Sequence, residues 1–115
     1  MSNYREETIL TSAAVTATGT TPFPGESYGN ASTLRLHAVV SAASGTTPTL
    51  DIVVEDTLDG VNFFVVGTFT QITAAASQAV NVTSPFCERL RLRYTLGGTT
   101  PSFTLGVRCA YDPQN

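Results

Sequence analysis

Few side chains in this sequence could carry out catalysis. There is one histidine, His37, and no lysine, so Schiff-base and P-loop chemistry are excluded. No serine or cysteine near His37 in the sequence suggests an activated nucleophile. Neither a CxxC metal spacing nor a glycine-rich phosphate loop occurs. We therefore expect a non-enzymatic protein, and we assign no catalytic residue and no cofactor.

Carboxylates are concentrated in one stretch, so a cation site has to be weighed. Calcium prefers several oxygen ligands that converge from one loop, and the candidates here are Glu55, Asp56 and Asp59. Their spacing fits no EF-hand, and the pair Asp59-Gly60 is common in the turn of a β-hairpin. The pattern favours turn formation over a metal site.

All six basic residues are arginines, and three of them form a row. Arg89, Arg91 and Arg93 alternate with apolar residues in RLRLRYTL, so they share one face of a strand. The net charge of −3 argues against a nucleic-acid partner. Because Asp51 and Glu55 alternate with the same period, we expect the arginines to pair with carboxylates within the chain or across a subunit interface. Two further arginines could widen this row, Arg35 and Arg108.

The elements that position these residues are predicted to be strands. No window has a sustained helical period, and β-branched residues dominate between frequent turn signals. The predicted strands are ILTSAAVTA, TLRLHAVVSA, TLDIVVE, NFFVVGTF, QAVNVT, RLRLRYTL and SFTLGVRCAY. This pattern predicts an all-β fold: a single antiparallel β-sandwich or flattened barrel of about seven to eight strands, with an extended N-terminal segment.

Alternation along these strands assigns a core. The inward positions are Leu34, Leu36, Ala38, Val40, Leu50, Ile52, Val54, Leu90, Leu92, Tyr94, Leu96, Phe103, Leu105, Val107 and Cys109. Cys87 and Cys109 are expected to be free, core-facing thiols, because the N-terminus lacks the apolar region of a signal peptide. No apolar run approaches the roughly 18 residues of a transmembrane helix.

The motif GTTP occurs three times, at Gly19, Gly45 and Gly98. Glycine permits positive φ, and proline lacks an N–H and is tolerated where a strand starts. We therefore expect the second and third copies to close hairpins, each returning one strand onto the next. Their similarity could record an internal duplication or only a shared turn. The first copy runs on into PFPGESYGN and predicts an irregular segment.

The chain is divided into three parts. Residues 1–32 form an N-terminal arm, or a first strand plus an irregular loop; residues 33–111 form the sandwich; residues 112–115 are a tail. An arm would add a strand to the exposed edge of a neighbour. The alternative is a first strand at residues 8–17, paired inside its own domain.

Two predicted strands contain adjacent apolar pairs, VV at 53–54 and FFVV at 63–66. Because neighbouring residues of a strand point to opposite sides, both faces of these strands are apolar. The charged fraction is only 13%, and low charge favours association. These features predict assembly, and the candidate interface residues are Tyr4, Ile9, Phe23, Tyr28, Val53, Phe64, Arg89, Arg91 and Arg93.

Over about residues 48–110, the chain resembles small β-sandwich virion structural proteins of tailed bacteriophages. The resemblance rests on four features. They are the acidic strand Asp51–Glu55, the DG turn at Asp59 followed by Phe63, the stretch Phe69–Thr73, and Arg89–Val107 with its pattern R.LR..YT.GG..PSFT..V. Residues 1–32 take no part in it. Cysteine at positions 87 and 109 departs from the small or apolar residues that the family usually has there.

The resemblance implies a capsid (head) decoration or accessory capsid protein. It implies a homo-oligomer, with a trimer favoured, whose partners are the major capsid protein or other virion proteins and not nucleic acid or a membrane. Such a protein is made in the host bacterial cytoplasm and resides in the virion. The alternatives are a tail or neck component, or a carbohydrate-binding β-sandwich with Phe63 or Phe64 and Tyr28 as its stacking platform. The absence of tryptophan disfavours the last of these.

Overall fold

The computed structural model describes residues 5–24, 31–83, 86 and 89–113, and their regular structure is all β. The strands are β1 (Arg5–Val15), β2 (Gly19–Pro22), β3 (Ala31–Thr57), β4 (Phe63–Thr68), β5 (Ala76–Thr83) and β6 (Arg89–Pro113). All their pairings are antiparallel, so the predicted fold class is confirmed. Within the described ranges there is no helix with the length and apolar character needed to cross a membrane.

The two long strands, β3 and β6, pair along nearly their whole length. The first part of β3 pairs with the last part of β6, from Leu34 opposite Tyr111 to Val40 opposite Leu105. The second part of β3 pairs with the first part of β6, where Leu50 lies opposite Leu96. Core residues of β3 therefore lie opposite core residues of β6 along this ribbon.

The shorter strands extend the ribbon on both sides. The sheet order is β1-β6-β3-β4, while β2 also pairs with β6 and β5 with β3. β1 and β5 flank the part of the ribbon that contains Leu36, and we call this part the β1/β5 half. β2 and β4 flank the part that contains Leu92, the β2/β4 half. Each half thus has four strand segments.

The bend between the two halves is made by two copies of GTTP, and the expectation that they close hairpins is wrong. Gly45 and Gly98 have φ of 114° and 97°, and Thr47 and Thr100 have φ of 47° and 46°. With two left-handed residues in each motif, the backbone bends without reversing. A Cβ on Gly45 would lie 2.7 Å from the Thr100 carbonyl oxygen, and one on Gly98 would lie 2.5 Å from that of Thr47. The two motifs therefore pack against each other.

A single core fills the space between the two halves. The inward positions predicted from alternation are buried, except Tyr94 and Leu96, which are half-buried. Further core residues are Ile9, Phe23, Phe69, Ile72, Val82 and Tyr111. The molecule is 19 Å thick in its shortest dimension, which suits two sheet layers packed about 10 Å apart. The apolar faces of the two halves thus pack together as a sandwich.

The N-terminal segment is part of this sandwich in the structure. β1 pairs with β6 of its own chain, from Arg5 opposite Tyr111 to Val15 opposite Phe103. The first GTTP copy is strand β2, paired with β6, so the expectation of an irregular segment there is wrong: its main chain finds hydrogen-bond partners on β6. Tyr4, Tyr28 and Cys87, which the sequence singled out, lie outside the described residues.

Candidate interaction surface

The three arginines of the row lie on the outer face of the β2/β4 half. Arg91 is opposite Glu55 in the β3–β6 pairing. The Nε of Arg91 donates to Oε1 of Glu55 at 2.8 Å, and the Nε of Arg93 donates to Oε2 at 3.1 Å. Glu55 is only 5% exposed, because these guanidinium groups cover it. The predicted pairing of the arginine row with a carboxylate is confirmed for Glu55.

Other expected members of this cluster lie elsewhere. Asp51 accepts hydrogen bonds from the side chain of Gln71 and not from an arginine. Arg35 and Arg108 do not widen the row, because both are on the outer face of the β1/β5 half. There Arg35 donates to Asn81, and Arg108 forms an exposed ion pair with Glu6.

Phe63 completes the packing around Arg91. The guanidinium carbon of Arg91 lies 3.4 Å from the centroid of the Phe63 ring, a cation–π contact. Phe64 points to the opposite side of β4 and is 68% exposed. One face of the Phe63 ring is therefore occupied from within the chain.

The turn between β3 and β4 is organised by Asp59. Its Oδ1 accepts from the backbone N–H groups of Val61 and Asn62, both at 2.8 Å, and its Oδ2 accepts from the Asn62 side chain at 2.7 Å. These hydrogen bonds hold the pKa of Asp59 well below its usual value. The oxygens of Asp59 and Glu55 are thus engaged by protein groups.

The candidate acids Glu55, Asp56 and Asp59 are not gathered into one ligand set in the described part of the chain. Asp56 is buried at 8% exposure on the other side of β3 from Glu55. Among the described residues, no group of three or more His, Cys, Asp or Glu side chains could hold a metal ion. Turn formation, the favoured interpretation of Asp59-Gly60, is what these contacts show.

A cleft of about 360 Å³ lies at one end of the arginine row. Its lining residues are Thr20, Pro22, Phe23, Thr57, Phe63, Arg89, Leu90 and Arg91. Arg89 is exposed, and its guanidinium lies over Gly60, where a Cβ would be 2.5 Å from Nη2. The glycine of the turn therefore makes room for this side chain.

Exposed apolar residues are concentrated in one segment, which we call the 58–65 patch. It comprises Leu58 (86% exposed), Val61 (78%), Phe64 (68%) and Val65 (51%). Of the large apolar side chains in the described ranges, one more is exposed, Val39 at 49% in the β1/β5 half. The patch occupies the β3–β4 turn and β4, the strand at which the sheet order ends. Because Phe64 and Val65 are neighbours on β4 and face opposite sides of the sheet, the patch wraps around this edge strand.

The structure separates the candidate interface residues that the sequence had grouped. Phe64 is exposed and Val53 is half-buried, as the adjacent apolar pairs required. Ile9 and Phe23 are each 6% exposed and belong to the core of the single chain, so they are not on its surface. The exposure of Leu58 was not predicted from the sequence; its signal was an apolar residue inside the polar turn DTLDGVN.

Cys109 is part of the core and not of the surface. It is a free thiol, 2% exposed. Burial, reinforced by the nearby charge of Glu7, raises its pKa to about 12. The expectation of a free, core-facing thiol is confirmed for this residue.

Comparison with known proteins identifies the fold alone. No family model and no curated protein matches the chain. Among solved structures, the chain is similar to a protein of Bacillus endospore appendages, which are disulfide-linked pili, with TM-score 0.60 and 11% identity over 100% of this chain and 92% of that one. It is also similar to the PBSX exported protein XepA, with TM-score 0.65 and 17% identity, over 96% of this chain but only 38% of that one.

Two further similarities have lower TM-scores. The SPBc2 prophage-derived protein YomS has TM-score 0.57 and 8% identity over 96% of both chains. The CBM22-1 xylan-binding domain of Paenibacillus barcinonensis Xyn10C has TM-score 0.52 and 10% identity over 97% of this chain and 86% of that one. The fold is thus shared by phage-derived proteins, a pilus protein and carbohydrate-binding modules.

Proposed function

We propose that this chain is a non-enzymatic structural protein of a bacteriophage virion, and more specifically a capsid decoration protein that binds the assembled shell as a symmetric oligomer. The observation that carries the proposal is the 58–65 patch. Solvent-exposed apolar residues concentrated on one turn and one terminal strand are typical of a surface that another protein covers. They would otherwise promote uncontrolled association.

The shared fold supports the same proposal. YomS is prophage-derived by name, and the similarity covers 96% of its chain. The appendage protein belongs to pili, which are assemblies of many copies. Use of this fold in an assembly of subunits therefore has a precedent in the pili, and closed symmetry, of which a trimer is one example, is the arrangement of most soluble homo-oligomers.

The proposal is tested first on the source particle. Cryo-electron microscopy should show many copies of this sandwich covering the capsid shell, with the 58–65 patch at a contact. A few copies at one vertex would instead support the alternative of a neck or tail component. Absence from the particle would contradict a virion role.

The patch is tested separately with purified protein. Phe64→Asp should shift the oligomer to a smaller mass by light scattering and abolish binding to particles. Val39→Asp is the matched control, because Val39 is an exposed apolar residue of the other half. Equal behaviour of the two variants, with unchanged thermal melts, would contradict the role given to the patch.

A carbohydrate-binding module is the second candidate, because the fold is shared with a xylan-binding domain. The structure gives this candidate little to stack a sugar on. Phe63 and Phe64 point to opposite sides of β4, and Arg91 covers one face of Phe63. Retention of the protein on insoluble xylan, lost in Phe64→Ala, would favour this candidate over a virion role.

A further inference from the structure

The cleft beside the arginine row is lined by both arginine and apolar residues. Pro22 and Phe23 line one side and Phe63 lines the other, with Arg89 and Arg91 between them. Arg91 is already paired with Glu55 at 2.8 Å and stacked on Phe63. Arg89, the other arginine of this cleft, has no carboxylate partner among the described residues.

The neighbouring carboxylates are committed to other groups. Both oxygens of Glu55 accept from Arg91 and Arg93, and both oxygens of Asp59 hold the turn. In the described part of the chain, Arg89 forms no ion pair within 4.0 Å. Its guanidinium packs over Gly60 and is one of the groups that line the cleft.

We propose that this cleft binds an acidic, extended peptide segment of a partner protein, with one carboxylate seated on Arg89 and a neighbouring apolar side chain between Pro22 and Phe63. A guanidinium presents a planar pair of donors that matches a carboxylate. The apolar walls bind the flanking side chain by removing it from water. The cleft adjoins the 58–65 patch, because Phe63 lines it and Arg89 lies over Gly60, but the proposal does not depend on a role in a capsid.

The charge arrangement favours a single carboxylate over a polyanion. Arg91 and Arg93 are neutralised in part by one buried carboxylate, so the row does not offer three free cations. Nucleic-acid binding depends on neutralising many phosphates, and the chain as a whole has a net charge of −3. A peptide with one acidic side chain next to an apolar one matches both the single available guanidinium, that of Arg89, and the apolar residues that line the cleft.

The test uses the full chain and a fluorescein-labelled hexapeptide of alternating glutamate and valine, measured by fluorescence anisotropy. The corresponding glutamine–valine peptide should bind at least tenfold more weakly. Arg89→Ala should weaken binding of the glutamate peptide at least tenfold. Arg35→Ala, which removes the same charge from the outer face of the β1/β5 half, should leave binding unchanged. Thermal melts of both variants establish that the fold is intact.

A charge reversal makes the test independent of simple loss of binding. Arg89→Glu should lose the glutamate peptide and acquire measurable affinity for a lysine–valine peptide. The proposal is overturned if wild type binds the glutamate and glutamine peptides equally, or if Arg35→Ala weakens binding as much as Arg89→Ala. It is also overturned if a thymidine decamer binds more tightly than the glutamate peptide, which would indicate a nucleic-acid surface.

Discussion

Asp59 links the stability of the β3–β4 turn to pH. Its pKa is depressed by the hydrogen bonds from Val61 and Asn62, so its contribution is present above the ordinary pKa of an aspartate and is lost as the pH falls. We expect the stability of wild type to decline more steeply than that of Asp59→Asn between about pH 4 and pH 2. Asparagine keeps one acceptor for the turn but does not titrate.

Urea denaturation at a series of pH values provides the measurement for Asp59. The informative quantity is the difference in unfolding free energy between the two proteins at each pH. This difference should favour wild type most strongly near neutral pH and shrink with acidification. Parallel curves for the two proteins would contradict the depressed pKa.

Cys109 should be chemically inert in the native protein. Since burial raises its pKa to about 12, almost no reactive thiolate exists at pH 8. In a Cys87→Ser variant, which isolates this thiol, a maleimide reagent should label the native protein far more slowly than the guanidinium-denatured protein. Similar rates in the two states would show that the core opens at this position.

At the scale of the elements, the bend between the two halves depends on both glycines of the GTTP pair. Gly45→Ala would place a Cβ 2.7 Å from a backbone oxygen at positive φ. We expect it to cost about 2 kcal/mol or more of unfolding free energy. Gly98→Ala should cost a similar amount, because its environment is the counterpart of that of Gly45.

The control for the bend is Thr46→Ala, at an exposed position of the same motif. Its effect should stay within about 0.5 kcal/mol. All three unfolding free energies can be measured by chemical denaturation. A tolerated Gly45→Ala together with a destabilising Thr46→Ala would contradict the packing of the two motifs against each other.

β1 is expected to be required for folding. It pairs with β6 and buries Ile9 in the core. A chain without residues 1–28 also loses β2 and the buried Phe23, so it should give no cooperative thermal transition. If the N-terminal segment served only a neighbouring subunit, the same truncation would melt normally and fail only to assemble. Circular dichroism melts and gel filtration of this one variant distinguish the two outcomes.

Alternation in the sequence was sufficient to predict the strands and their inward faces, because period two is set by local geometry. It failed at the bend, because a glycine followed by threonines is compatible with either a chain reversal or a kink. The contact with the partner motif decides between the two, and that motif begins at Gly98, 53 residues after Gly45. β2 was missed for a similar reason. Four residues of GTTP have no strand signal of their own and become a strand because β6 supplies their hydrogen-bond partners.

For the molecule as a whole, the sequence predicted which residue types meet on the surface better than it predicted where the cleft and the exposed apolar residues lie. The arginine row and its carboxylate partner follow from matching periods, and Glu55 confirms this. The cleft could not be predicted, since Pro22, Phe63 and Arg89 come from three distant strands or turns. The exposure of Leu58 was equally hidden, because an apolar residue in a short turn carries no periodic pattern.

The reciprocal GTTP bend gives the molecule an approximate two-fold relation that the order of the chain conceals. Exchanging β3 with β6 maps Leu50 onto Phe103 and carries β4 onto β1 and β2 onto β5. Phe63 pairs with Thr57 across a short turn, and Glu6 pairs with Ala110 in the corresponding place. The strands therefore divide into two equivalent three-strand units, β2-β3-β4 and β5-β6-β1. The third strand of the second unit, β1, comes first in the chain, so the chain order is a circular permutation of a simple tandem.

This relation predicts where the chain can be cut and rejoined. A circular permutant that joins Asn115 to Met1 and opens the exposed bend between Ala74 and Ala75 restores the tandem order, and should melt cooperatively near the wild-type temperature. A second permutant, opened between Thr46 and Thr47, cuts the bend itself and should fail to fold. Calorimetry of the pair provides the comparison: equal stability of the two would show that the bend is an ordinary connection and not the axis of the molecule.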